Sequence, residues 1–542
     1  LTDRFPTAAA PDKEIDVNPR KFLAAAGTAA ALALTLSACS GSAGSLPGQS
    51  SGSSSAVDTT LTLGLSSDIS TPDPSSAYSG SEMNLVLAAY EGLVKYQTGV
   101  DKAEIVPSLA TAWKVSDDAL TYTFTLRDGV TFHDGTPLTS AAVQPSVDRS
   151  ATVGAKGPGY MVGGITNIAT PDDSTVVFTL GAPNAAFLDY LASPFGLKLI
   201  SPAALTEHAE DDEWFATHDA GTGPYQYGSF EAGVKYQLTA YPTYWGKAGG
   251  YSTVEFSVVD STNTIQLQLG SGELDGYIGS GNKPLFDALK TTKGLATTRY
   301  ASMMAPVVFL NPGAPGLGDQ ATRAALVAGV DWDAIVSNVY GDLATSSTGV
   351  FPASMVPADD NVDALKADPA GLKALATGAL SGQKITIGYP SFVPGAQEIS
   401  DSLVAQLNTA GLTAESVGYE SSAYWSTMYD PAKAPSLTLF SGFPDAAHPD
   451  TWARLFYSTK GGLNMFGGQV DGLDALLDEA VATGDTSLYA KAAHDVSASG
   501  LWHTLADLKV SGAFQDSVQG IDKASYPVLG ITLDFTQLSP KA

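Results

Sequence analysis

Residues 60–65 (TLTLGL) and 121–126 (TYTFTL) place Leu, Tyr and Phe at every second position. That spacing turns one face of a strand toward a core. The second run closes on Asp128-Gly129, a turn pair. Residues 175–180, 235–241, 253–259 and 384–389 are further strand-length apolar runs. Helical spacing appears over 81–93, where Leu85, Ala88, Ala89 and Leu93 share a face, and over 321–340 and 399–410. It returns over 472–481, with Leu473, Leu476, Leu477 and Ala480 inward. Strands and helices interleave along the chain, which predicts α/β lobes. With 542 residues, two or three lobes are expected rather than one core. No solenoid repeat is present.

The first 58 positions break this pattern. Arg20 and Lys21 precede an uncharged apolar stretch, 22–36, which suits a signal h-region and is short for a membrane span. Leu36-Ser37-Ala38-Cys39 follows, and resembles the bacterial lipobox, with cleavage before Cys39 and a lipid on its thiol. Residues 1–38 are therefore expected to be a signal region with a polar N-terminal extension, exported by the general secretory route. Residues 39–58 read as the lipidated cysteine and a flexible Ser/Gly tether. Cys39 is the only cysteine, so no internal disulfide and no thiol-based metal or redox site can form.

Composition narrows the chemistry. Hydrophobic residues make up 44% and charged residues 15%, as in a globular body. Fifty-six acidic against 28 basic residues give a net charge of -28, a field that repels nucleic acid but tolerates a cationic or zwitterionic ligand. Gly48 to Gly52 fits G-x-S-x-G, yet it lies in low-complexity sequence, where the strand-to-helix elbow cannot form. Ser280-Gly281-Asn282-Lys283 fits S-x-x-K without the K-T-G strand that mechanism needs. No phosphate-binding loop occurs. His133 reads as a turn residue, and it, His208, His218, His448, His494 and His503 lack metal-ligand spacing. No catalytic residue, cofactor or metal site is expected.

Several ordered landmarks carry a family resemblance from about Thr60 to the C-terminus. Ala89-Tyr90-Glu91-Gly92-Leu93 is the first. Pro107 to Trp113 is followed by Arg127-Asp128-Gly129-Val130, Phe132-His133-Asp134-Gly135 and Pro137-Leu138-Thr139. Gly221-Thr222-Gly223-Pro224-Tyr225, Tyr244-Trp245-Gly246, Gly272-Glu273-Leu274-Asp275 and Arg323-Ala324-Ala325-Leu326 complete the set. The chain thereby resembles the extracytoplasmic solute-binding proteins of peptide and nickel ABC importers. The resemblance implies a two-lobed periplasmic-binding-protein-like α/β fold of type II, in the large cluster C form with an extra subdomain. On that pattern lobe I comprises 59–80, 195–299 and 515–542, the inserted subdomain 81–194, and lobe II 300–514.

The resemblance also implies a role: capture of a small solute, most simply a peptide, by lobe closure, and delivery to the permease subunits of an ABC importer. The protein would act as a monomer held by its lipid at the outer face of the cytoplasmic membrane. The alternatives are a non-peptide solute such as an oligosaccharide or metal chelate, and a surface hydrolase. Within Gly442 to Asp450, Asp445 stands four residues before Pro449, where peptide-binding members pair an acid with the ligand α-ammonium. Arg454 is the candidate clamp for a ligand carboxylate. Tyr78 and Ser79 are expected on the first-lobe wall, Met303 and Met304 after the crossover, and Tyr424, Trp425 and Trp452 as side-chain pockets.

Overall fold

Alternation translates directly into burial in strand Thr60–Leu65, whose Leu61, Leu63 and Leu65 are all in the core. The computed structural model describes residues 59–541 apart from 154–156, 210, 358 and 431–432. The signal region, Cys39, the tether and the Gly48 to Gly52 run lie outside the described residues. Thr60–Leu65 sits inside an eight-stranded sheet, parallel to Thr253–Val258 on one side and Gly276–Ser280 on the other. Antiparallel strands continue outward, Lys235–Ala240 and Tyr225–Glu231 on one flank, Ala506–Gln515 and Leu295–Ala301 on the other.

A second sheet runs in the order Thr413–Tyr419, Lys384–Pro390, Leu437–Gly442, Ala305–Leu310, Trp502–Thr504. Its first three strands are parallel and its last two pairings antiparallel. Ala305–Leu310 is buried at every position, as a strand covered on both faces must be. A third, antiparallel sheet comprises Ala110–Val115, Thr121–Leu126, Thr175–Leu180 and Ile165–Asp172. Tyr122, Phe124, Val176 and Phe178 fill its inner face.

Two adjacent segments carry the chain between the first two sheets, next to the short strand Ala344–Ser346 that pairs with 506–508. The chain leaves the first sheet after Leu295–Ala301 through 302–304, and returns through Leu505 into Ala506–Gln515. The crossings are tied together: the Leu508 N–H donates to Met304 O at 2.9 Å and the Leu505 N–H to Pro306 O at 2.8 Å. Ser302 Oγ donates to Leu508 O at 2.6 Å. Two adjacent crossing strands are the geometry of a hinge. From Lys509 onward the strand pairs with the first sheet, because Val510 to Phe514 are small or apolar residues buried on both faces.

Two helices also end earlier than their spacing predicts. The 321–340 pattern breaks into Gln320–Gly329 and Trp332–Tyr340, because the Asp331 carboxylate accepts the Ala334 N–H at 3.0 Å and starts a new helix. The 81–93 pattern ends at Ala89, where Tyr90 turns extended. Just beyond, a side chain at Gly92 would lie 2.8 Å from Leu197 O.

Carboxyl ends of parallel strands from both lobes meet. Gly281, after Gly276–Ser280, lies so close to Pro394, after Lys384–Pro390, that a Cβ on it would be 3.4 Å from the Pro394 carbonyl. Crevices at such ends are where α/β sheets bind ligands.

Candidate functional site

Strand Leu437–Gly442 delivers the chain into the irregular segment 443–448. Gly442 allows this close to the core, since a Cβ there would sit 2.5 Å from the Phe456 ring. Asp445 follows and is only 6% exposed. Its Oδ2 accepts two phenols, Tyr78 at 2.5 Å and Tyr160 at 2.6 Å. Tyr78 comes from the loop between Thr60–Leu65 and the helix Gly80–Ala89, and Tyr160 from the turn Gly159–Met161. Oδ1 carries no hydrogen bond from the described residues, and no cation among them pairs with this carboxylate. Burial pushes the Asp445 pKa up, and the two phenols pull it partly back. Burial and the neighbouring carboxylate hold both tyrosines well above their ordinary range, so they remain donors.

Tyr78 and Tyr160 are 41% and 48% exposed as whole residues, while their hydroxyls reach the acid. Phe195 meets the Tyr78 ring edge-on at 5.2 Å and stacks on Phe443 at 5.8 Å. Tyr190 meets Tyr160 edge-on at 5.6 Å. The result is a buried carboxyl without a cationic partner among the described residues, beside partly exposed aromatic side chains. Chemically, this suits a cation with apolar substituents. A cavity of about 470 Å³ also opens between the lobes, lined by Gly281, Asn282 and Lys283 on one side and Pro394, Gly395 and Glu398 on the other. That volume falls within the range of small-ligand sites.

Of the residues singled out in the sequence, Tyr78 and Asp445 are brought together. Ser79 is exposed and stands at the N-cap of Gly80–Ala89, its N–H donating to Glu82 at 3.2 Å; it caps rather than lines. Arg454 is committed elsewhere. Its Nε lies 3.1 Å from both oxygens of Asp450 and its Nη1 2.7 Å from Asp478, because Asp450 and Arg454 share a face of helix Pro449–Phe456 at i,i+4. Arg127, Arg149, Arg299 and Arg323 are likewise bound to carbonyls or carboxylates. No arginine among the described residues is an uncommitted clamp.

Tyr424 and Trp452 are core residues. Both are 0% exposed; Tyr424 donates to Leu439 O at 2.6 Å and Trp452 Nε1 to Val350 O at 3.0 Å. Buried hydroxyl and indole groups need such partners, and these are internal ones. Trp425 is half-buried against Phe440, 5.2 Å away, and stacks on Tyr429. Met303 and Met304 flank the first crossing, each buried in a different core cluster. His133 has both ring nitrogens engaged, one with Asp219 and one at 2.9 Å from Gly223 O. No group of metal-binding side chains occurs among the described residues. Tyr160, Phe195 and Ser193 were not singled out in the sequence. The available signal for Tyr160 was a lone aromatic within the glycine-rich run 157–164.

Two α/β lobes joined by adjacent crossings, with a concave site between them, form an architecture suited to holding a small solute. Residues 104–464 match the bacterial extracellular solute-binding proteins, family 5, and the chain belongs to that family. It is 31% identical to the probable D,D-dipeptide-binding periplasmic protein DdpA of Escherichia coli over 54% of this chain and 57% of that one. It is 27% identical to the dipeptide-binding protein of E. coli over 68% and 73%. The chain thus spans little over half the length of DdpA. Among solved structures it resembles the ABC transporter substrate-binding protein CtaP of Listeria monocytogenes, with a TM-score of 0.79 at 21% identity, covering 89% and 99% of the two chains. It also resembles DppA of Helicobacter pylori in complex with the peptide STSA, with a TM-score of 0.75 at 24% identity, covering 89% and 98%. NikA of Brucella suis in complex with Fe(III)-EDTA gives a TM-score of 0.79 at 19% identity, covering 89% and 100%.

Proposed function

We propose that the protein is the extracytoplasmic capture subunit of an ABC importer, and that its solute is a peptide whose α-ammonium is received by Asp445. One observation carries the reading: a carboxylate buried between the lobes, held by two phenols, with no cation of its own. Such a charge is costly until an opposite charge reaches it. A free peptide amine supplies that charge and a donor for Oδ1. Peptide ligands named for several relatives support this choice. The wall residues are Tyr78, Tyr160, Phe195 and Phe443, which meet the first side chain. The lobes are a first built on the eight-stranded sheet, an insertion carrying the antiparallel sheet, and a second on the five-stranded sheet. The protein acts as a monomer, anchored by a lipid on Cys39 at the outer face of the cytoplasmic membrane, and presents its closed form to permease subunits.

The test is titration calorimetry of tetra-alanine and N-acetyl-tetra-alanine against wild type and Asp445→Asn. Losing one partner of a desolvated charge pair costs about 2–5 kcal/mol, or roughly 30- to several-thousand-fold in affinity. Each single change should produce that loss, and the two together little more. Additive losses would show that Asp445 does not meet the amine. Binding of a neutral sugar or a metal chelate in place of every peptide would move the solute class while leaving the capture role intact.

A further inference from the structure

The segment that carries Asp445 is held at its main chain from the opposite side of the cleft. Ser193 Oγ donates to the Asp445 carbonyl. The Tyr96 hydroxyl accepts the Ala447 N–H at 2.9 Å and donates to Asp189 Oδ1 at 2.8 Å. Ser193 and Tyr96 are both 1% exposed. They lie 252 and 351 residues from their partners, so neither bond is local. Ser193 is itself presented by a stapled turn, because the Lys198 ammonium donates to the carbonyls of Ser193 and Gly196, each at 3.0 Å. Phe195 of that turn stacks on Phe443 with the rings 14° apart. Further along the same face, the Ala185 N–H donates to Val481 O at 2.9 Å.

Residues 443–448 have no ladder of their own to fix them. A carboxylate on an unsupported loop would spend most of its time misdirected, and ordering it on binding would subtract from affinity. The two main-chain bonds remove that cost, but only while the lobes are together, since one partner of each lies on either side of the cleft.

We propose that Tyr96 and Ser193 are positioning residues for solute capture, seating the Asp445–Ala447 main chain as the lobes close. They touch the loop and not the solute, so they act through Asp445 and govern how slowly a bound solute escapes. The inference rests on Asp445 being the anchor described above. It goes beyond that reading by assigning the retention of solute to side chains on the far side of the cleft.

Tyr96→Phe and Ser193→Ala each remove one polar contact and keep the packing. In stopped-flow experiments with tetra-alanine on the full chain, each variant should raise koff by about 3- to 10-fold, the worth of one ordinary hydrogen bond. The on-rate and the melting temperature of the unliganded protein should hardly change. In an Asp445→Asn background the same two substitutions should change affinity less than about twofold, because there is no longer a carboxylate to position. Equal losses in both backgrounds, or unchanged koff, would overturn the proposal. An unaltered affinity in Asp445→Asn alone would instead overturn the ammonium reading. If wild type binds no tetra-alanine, the anchor on which this proposal rests fails and the proposal falls with it.

Discussion

Lys198 is a cation placed where cations are normally costly. It is 6% exposed, and its ammonium meets two carbonyls but no carboxylate. It lines a cavity of only about 40 Å³ with Glu91, Tyr244 and Tyr526, enough for a few waters and too small for a solute. Burial pushes its pKa down to about 7. An unfolded lysine titrates near 10.4. Between those values the unfolded chain holds a proton that the native protein lacks, so stability rises with pH across that window. The Lys198→Met variant has no such slope. Urea unfolding from pH 7 to 9.5 should show wild type gaining on the variant by up to about 1.4 kcal/mol per pH unit. Parallel curves would mean that the ammonium is not desolvated. The same substitution loosens the turn that presents Ser193, so it should also speed solute release.

Helix boundaries in this chain are set by single polar side chains. Asp331 takes the Ala334 N–H and separates Gln320–Gly329 from Trp332–Tyr340. Asp331→Ala should lower stability by about 1 kcal/mol, read as a shift in the urea midpoint with an unchanged slope. A loss below about 0.3 kcal/mol would show that packing of Ile335 and Val336, not the cap, starts the second helix. This helix pair also shows what could be read in advance. Periodicity locates the six strands it names to within a residue, because burial follows spacing, but it passes over Ala305–Leu310, where burial on both faces leaves no alternation. It missed the break at Asp331, because the faces of both helices remain nearly in phase across it. Asp445 stands out in the sequence through its landmark proline. Tyr160, Ser193 and Tyr96 were not, because their role depends on partners hundreds of positions away, which no local pattern encodes. Trp452 and Tyr424 show the converse: expected as walls, they have their polar atoms satisfied inside the core.

At the level of the whole molecule, two crossings and one crevice make a device with few degrees of freedom. On the capture reading proposed above, closure would turn about Ser302–Met304 and Leu505 and leave each sheet intact. On this reading the body is carried by the tether from Cys39. Cys39→Ala should therefore abolish incorporation of a fatty-acid probe in cells and release the protein into the soluble fraction, while solute affinity stays at the wild-type value. Equal labelling of the two forms would remove the anchor from the account. The bonds to the Asp445 carbonyl and the Ala447 amide have a further consequence. What the crevice selects is written in a carboxylate and a few rings, whereas how long it keeps its cargo is written at positions 96 and 193, which the cargo never meets. Selectivity and dwell time can then drift separately under selection, so a lineage that moves from scarce to plentiful nutrients can trade tenacity for turnover without changing its diet.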